Sequence, residues 1–152
     1  MSLPKHTQKN LEMQGFRCDT AQFANVEPWL RFSPAICFFA VLWGLWQGSA
    51  GVFYIVAVMS AIGVFTPHAF GDWIYNYGIR FLTSGPVLPP THPPRRFACF
   101  MGMIWGTAVG LLFSYGYASI AYILGTIFLI VIIPMIFTHF CTASFIYRKL
   151  FG

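Results

Sequence analysis

Two histidines, His68 and His139, stand inside the long apolar stretches of this chain. Imidazole is the commonest protein ligand for a metal. A facing pair in a helical bundle would suit a haem, and a single ring would suit the magnesium of a chlorophyll. The plainer role is at the lipid headgroup level, hydrogen-bonded to a carbonyl or a phosphate. The Thr-Pro-His and Thr-His-Phe surroundings match no haem motif, and Pro67 distorts the backbone beside His68. Headgroup-level histidines are therefore expected, with haem or chlorophyll ligation by His68 or His139 as the alternative. Cys18, Cys37, Cys99 and Cys141 show no CxxC or other ligand-like spacing, which argues against zinc or an iron–sulfur cluster. All four map to the cytoplasmic half of the topology described below, where thiols stay reduced. Buried structural thiols are expected. Only Cys141, seven residues before Arg148, approaches a cationic setting, which makes it the candidate redox thiol. No HExxH helix, GxSxG elbow or phosphate-binding loop is present, so no catalytic residue and no metal site are predicted and the chain reads as a non-enzyme.

The elements that carry these residues follow from charge. Phe32–Gly71 and Phe97–Tyr147, 40 and 51 residues, contain no Asp, Glu, Lys or Arg. One helix needs about 20 apolar residues to cross the hydrocarbon core, so each stretch has room for two helices and a tight turn. Only 9% of the chain is charged, against roughly 25% in a soluble domain. The fold expected is an all-α membrane protein with four transmembrane helices, arranged as two helical hairpins.

Orientation follows from the bases. They occupy the N-terminal arm (Lys5, Lys9, Arg17, Arg31), the central connection (Arg80, Arg95, Arg96) and the end (Arg148, Lys149). The tips at Gly48–Gly51 and Ser114–Tyr117 carry none. The positive-inside rule makes both termini and the connection cytoplasmic, in a bacterial inner membrane, with Arg31, Arg80, Arg95, Arg96, Arg148 and Lys149 facing headgroups. The net charge of +5 is spread over these sites with no basic stripe, which fits contact with anionic membrane lipids and argues against nucleic acid.

Residues 1–31 form a polar cytoplasmic arm, too weakly apolar for a core of its own. The first 28 residues hold no apolar run long enough for a cleavable signal peptide. Residues 32–82 hold the first hairpin, with helices near Phe32–Gln47 and Ala50–Phe65. This hairpin reaches across only if Thr66–Tyr75 continues its second helix; two re-entrant half-spans are the competing reading. Asp72–Leu82, aromatic with two charges, reads as an interfacial segment. Residues 83–96 form a Pro-rich connector, and residues 97–152 the second hairpin, with helices near Phe97–Phe113 and Ala118–Phe140, and the basic terminus. In the third helix Gly102, Gly106 and Gly110 make a ridge for close helix packing, against the first or fourth helix of this chain or against a partner subunit.

The halves echo each other: Arg31-Phe32 and Arg96-Phe97 open them, Cys37 and Cys99 follow, and His68 and His139 precede the endings Trp73-Ile74-Tyr75 and Phe145-Ile146-Tyr147. The Arg96-Phe97-Ala98 entry, with Phe140-Cys141-Thr142-Ala143-Ser144-Phe145-Ile146-Tyr147-Arg148, resembles the DUF4395 family of small bacterial multi-pass membrane proteins of unknown function. Members typically end close to Phe-Cys-x-Gly-Cys-x-x-Tyr. Here Ala143 stands for the glycine and Ser144 for the second cysteine, so a thiol pair at 141 and 144 is impossible. The resemblance implies an architecture and no activity. The function expected is a non-catalytic accessory subunit of a larger membrane protein complex, photosynthetic or respiratory, with no cofactor of its own. The alternatives are a haem- or chlorophyll-binding protein and a thiol-redox or sulfur-handling protein using Cys141.

Overall fold

The computed structural model describes residues 4–13, 29–85, 87, 88 and 90–151; Cys18 and most of the N-terminal arm lie outside them. Among the described residues the fold is all-helical, with seven helices and no strand. They are α1 (Lys5–Met13), α2 (Phe32–Gln47), α3 (Ala50–Phe65), α4 (Phe70–Thr83), α5 (Pro93–Ser114), α6 (Ala118–Thr138) and α7 (Thr142–Phe151).

Two helices, α5 and α6, are long and apolar enough to cross a membrane. Their 22 and 21 residues give roughly 30 Å at about 1.5 Å per residue. Helices α2 and α3 have 16 residues each, about 24 Å on the same scale. The α2–α3 turn is set by Gly48, at φ 59°, where a residue with a Cβ would be strained. Its N–H and that of Ser49 return to the Leu45 and Gly44 carbonyls, closing α2 as Schellman-type caps do. The α5–α6 turn uses Gly116 in the same way, at φ 85°. Both tips lie at one end of the bundle, where the Tyr54 hydroxyl on α3 meets Ser114 Oγ at 2.9 Å.

The expected continuation of α3 through Thr66–Tyr75 does not occur. The chain breaks at Thr66-Pro67-His68-Ala69, and α4 leaves at 76° to α3. Pro67 explains the break, because it disfavours helical geometry at Thr66, which is extended (φ −113°, ψ 161°). The Thr66 hydroxyl, which bonds to the Ile62 carbonyl (2.6 Å) and lies equally close to that of His68, accepts from Trp73 Nε1 (3.1 Å) and so ties the corner to α4. Within α4, Tyr75–Ile79 forms a π-helical turn. The second half follows the same plan, with a hairpin, a break around His139 and a further helix, α7.

The tightest packing joins α3 to α5, with α2 against α6 and α7 against α5. Val41, Phe53, Val56, Val109, Ala121, Phe128 and Ile132 form the bundle core. Trp105 Nε1 donates to the Leu124 carbonyl (3.0 Å) and pins α5 to α6. The glycine ridge meets neither the first nor the fourth helix as its principal partner; it packs on α3, with Gly106 against the backbone of Phe53 and Ala57 and Gly110 against the Tyr54 ring. A second, smaller core lies where α1, α4 and the connector meet, and is made by Leu11, Leu30, Tyr75 and Leu88. By its sequence the arm is too weakly apolar for a core of its own. Instead α1 buries Leu11 there, and Asn10 Nδ2 donates to the Thr138 carbonyl (2.7 Å).

Candidate functional site

At the end opposite the hairpin tips, polar groups that the apolar stretches cannot supply are brought in from α1, α4, α7 and the connector. Asp72 lies in the first turn of α4, where the helix dipole favours an anion. Arg95 lies in the first turn of α5, where the dipole opposes a cation. Each offsets the other: Arg95 Nη1 donates to Asp72 Oδ2 at 3.0 Å, and Nη2 lies 3.5 Å from Oδ1. Asp72 is 0% and Arg95 2% exposed, so the pair is fully out of solvent. A buried pair of this kind is costly to break although its net worth is small. It joins the first half of the chain to the second.

The connector between them is held by side chains because its prolines cannot make a ladder. Asn76, one turn after Asp72, accepts the Leu88 N–H at Oδ1 (2.9 Å). The Thr91 N–H reaches the Pro67 carbonyl (2.6 Å), and Ser144 Oγ donates to the Pro94 carbonyl (3.1 Å). The Ser144 hydroxyl thus ties α7 to the start of α5 by a hydrogen bond that a thiol would make poorly.

His139 is buried and closes α6 in the left-handed conformation, φ 56°, uncommon for a residue with a side chain. Its Nε2 accepts from Arg31 Nε at 2.9 Å, so this nitrogen is already committed. The ring is not at a wet headgroup level, as the sequence suggests, but inside the molecule. His68 is half-buried, edge-on to Trp73 with 5.7 Å between ring centres. Its Nδ1 is buried and has no hydrogen-bond partner among the described residues. Cys141 is buried, immediately before α7.

Beside the ion pair, the four bundle helices line a half-open cavity of about 120 Å³, with Arg95 in its wall. Cys37 from α2, Met59 and Ser60 from α3, Cys99 and Gly102 from α5, and Met135 from α6 line it. Among the described residues no three His, Cys, Asp or Glu side chains come together as a metal site.

The sequence-derived residues are thus distributed as follows. Arg95 is buried against Asp72 rather than offered to headgroups, and Arg31 faces His139. Arg148 reaches the Glu12 carbonyl of α1, while Arg80 lies over the Phe81 ring at 4.9 Å. Lys149 is in the last turn of α7, where the dipole favours it, and Arg96 is exposed beside the buried Arg95. The interior is therefore not free of charge, contrary to expectation. Sequence reasoning missed Asp72, Asn76 and Ser144. A signal existed for Asp72: it is the sole acid after Glu27, and a lone acid bordering an apolar run calls for a buried base.

A family model described as Domain of unknown function (DUF4395) matches residues 27–151. No curated protein and no solved structure matches the chain.

Proposed function

The chain belongs to the DUF4395 family, and on that premise we propose that it is a non-catalytic accessory subunit of a larger complex in the bacterial cytoplasmic membrane, an energy-converting assembly of photosynthesis or respiration. One observation carries the reading. Among the described residues the interior polar groups pair with one another, Arg95 with Asp72, Arg31 with His139 and Ser144 with the Pro94 carbonyl, His68 Nδ1 and Thr91 Oγ1 excepted, while the outer surface is apolar and aromatic over most of its height. Phe39, Trp43, Ile55, Phe65, Ile130 and Phe137 all face outward. A surface of this kind meets lipid or another apolar helix face. Trp46, Tyr115 and Tyr117 ring the tip end and Trp73 and Tyr77 the other, as aromatic belts do.

In this reading α2, α3, α5 and α6 are four spans, α4 lies in the interface after its bend, and both termini are cytoplasmic. A reporter active only in the cytoplasm should give signal when fused at Gly152 and none when inserted beside Ser49. Signal at Ser49 with signal at Gly152 would make α2 and α3 a re-entrant pair, and silence at Gly152 would overturn the orientation.

Isolation of the tagged chain in mild detergent should bring down one larger membrane complex in fixed stoichiometry. A pigment- or haem-binding reading is favoured by a single observation, the unpartnered Nδ1 of His68. A monodisperse chain without partners, carrying a stoichiometric chromophore lost in His68→Leu, would replace the accessory reading with that one. Thiol exchange at Cys141 has the weaker support, since burial denies it access to a thiol from outside the chain.

A further inference from the structure

The cavity in the bundle receives one sulfur-bearing side chain from each of its four helices: Cys37 from α2, Met59 from α3, Cys99 from α5 and Met135 from α6. We propose that it is a binding site for a soft monovalent metal ion, copper(I) or its mimic silver(I), held by these two thiols and two thioethers. This goes beyond the accessory role and does not depend on it.

Three observations lead there. First, the wall holds no imidazole and no carboxylate, the ligands that hard and borderline divalent ions would require, whereas thiolate with thioether is the donor set that selects copper(I). Second, the ligands are far apart in sequence, which is why no ligand spacing announces them; the fold assembles them from all four helices. Close approach is arranged by small residues, since a Cβ at Gly63 would lie 2.7 Å from Cys99 Sγ and one at Gly102 3.1 Å from Ser60 Oγ. Third, two of the lining residues, Met59 and Met135, are methionines. A methionine has an unbranched, readily rotated side chain that can close on an ion and relax in its absence.

The net charge of the filled site stays within one unit of zero. A thiol that ligates releases its proton to water and binds as thiolate. One thiolate neutralises a monovalent ion. Two leave a single negative charge beside Arg95, whose own charge is met by Asp72.

The test uses the full chain purified in detergent without metal, under anaerobic conditions with ascorbate as reductant and no added thiol, and titrated with copper(I) against a chromophoric copper(I) chelator. One equivalent should be retained per chain, with an X-ray absorption spectrum showing sulfur as the neighbouring atom type. Cys37→Ser and Cys99→Ser should each weaken retention by more than about tenfold, a scale that even outer-shell changes at metal sites reach. Met59→Leu and Met135→Leu conserve volume, so they should weaken retention while circular dichroism and monodispersity stay unchanged. Cys141→Ser, outside the wall, should retain copper like the parent. The proposal is overturned if the parent surrenders all its copper to the chelator, if the two leucine variants bind as the parent does, or if Cys141→Ser alone abolishes retention.

Discussion

Arg95→Leu is expected to cost the fold about 3–5 kcal/mol, the scale for removing one partner of a buried ion pair. The variant leaves Asp72, at 0% exposure, with a carboxylate that has lost its cation and cannot reach solvent. A total stability of some 5–15 kcal/mol would be reduced by about a fifth or more. Asp72→Leu should be at least as damaging, because it strands the guanidinium where the α5 dipole already opposes it. The double variant Asp72→Leu with Arg95→Leu should recover much of the loss, since an apolar pair of similar volume often replaces a buried ion pair at little cost. Thermal unfolding in a fixed detergent, followed by helicity, reads all three. Single variants that melt with the parent would show that the pair does not hold the halves together. A double variant as unstable as the worse single one would mean that other contacts of these side chains dominate.

Gly106→Leu should be the second most damaging single change. A Cβ at Gly106 would lie 3.2 Å from both the Ala57 nitrogen and the Phe53 carbonyl oxygen. Both are backbone atoms of α3, which cannot turn aside as a side chain does. Even alanine requires the helices to separate by a few tenths of an ångström, and leucine adds three more carbons. Overpacking in tight cores costs about 1–3 kcal/mol, and this position should reach the upper end because α3 against α5 is the principal contact of the bundle. Alanine at Gly102, which meets the movable hydroxyl of Ser60 at 3.1 Å, should be milder than alanine at Gly106. The measurement is the amount of protein in the membrane fraction together with its melting temperature. Equal effects of alanine at both sites would contradict close α3–α5 packing, and full accumulation of Gly106→Leu would show that this face meets only lipid.

Both expectations rest on features unequally visible in the sequence. The ridge Gly102, Gly106, Gly110 is legible because glycines four apart share a helix face. Its partner is not, because α2, α3 and α6 are all apolar and any of them could receive it. The bend after Phe65 was within reach of sequence reasoning, since Pro67 disfavours a continuing helix; the need for a full-length span argued the other way and misled. His139 shows a different limit. Its place at a helix end can be read from the chain, but its bond to Arg31, 108 residues away, cannot, because nothing local encodes a contact at that separation.

By itself the sequence determined the helical class, the two hairpins and where their turns fall. Those depend on local quantities: apolar run length, the absence of charge, and Gly48, Gly116 and Pro67 at points where the backbone must turn. It also determined that bases flank the apolar stretches. Which bases remain at the surface was decided only by the tertiary structure. Arg95 and Arg96 are adjacent, yet successive residues on a helix point about 100° apart, so packing buries Arg95 against Asp72 and leaves its neighbour outward. The same is true of the sulfurs. Cys37, Met59, Cys99 and Met135 meet around one cavity only because four separate helices are laid side by side, an arrangement set by the glycine contacts and the ion pair rather than by any spacing along the chain.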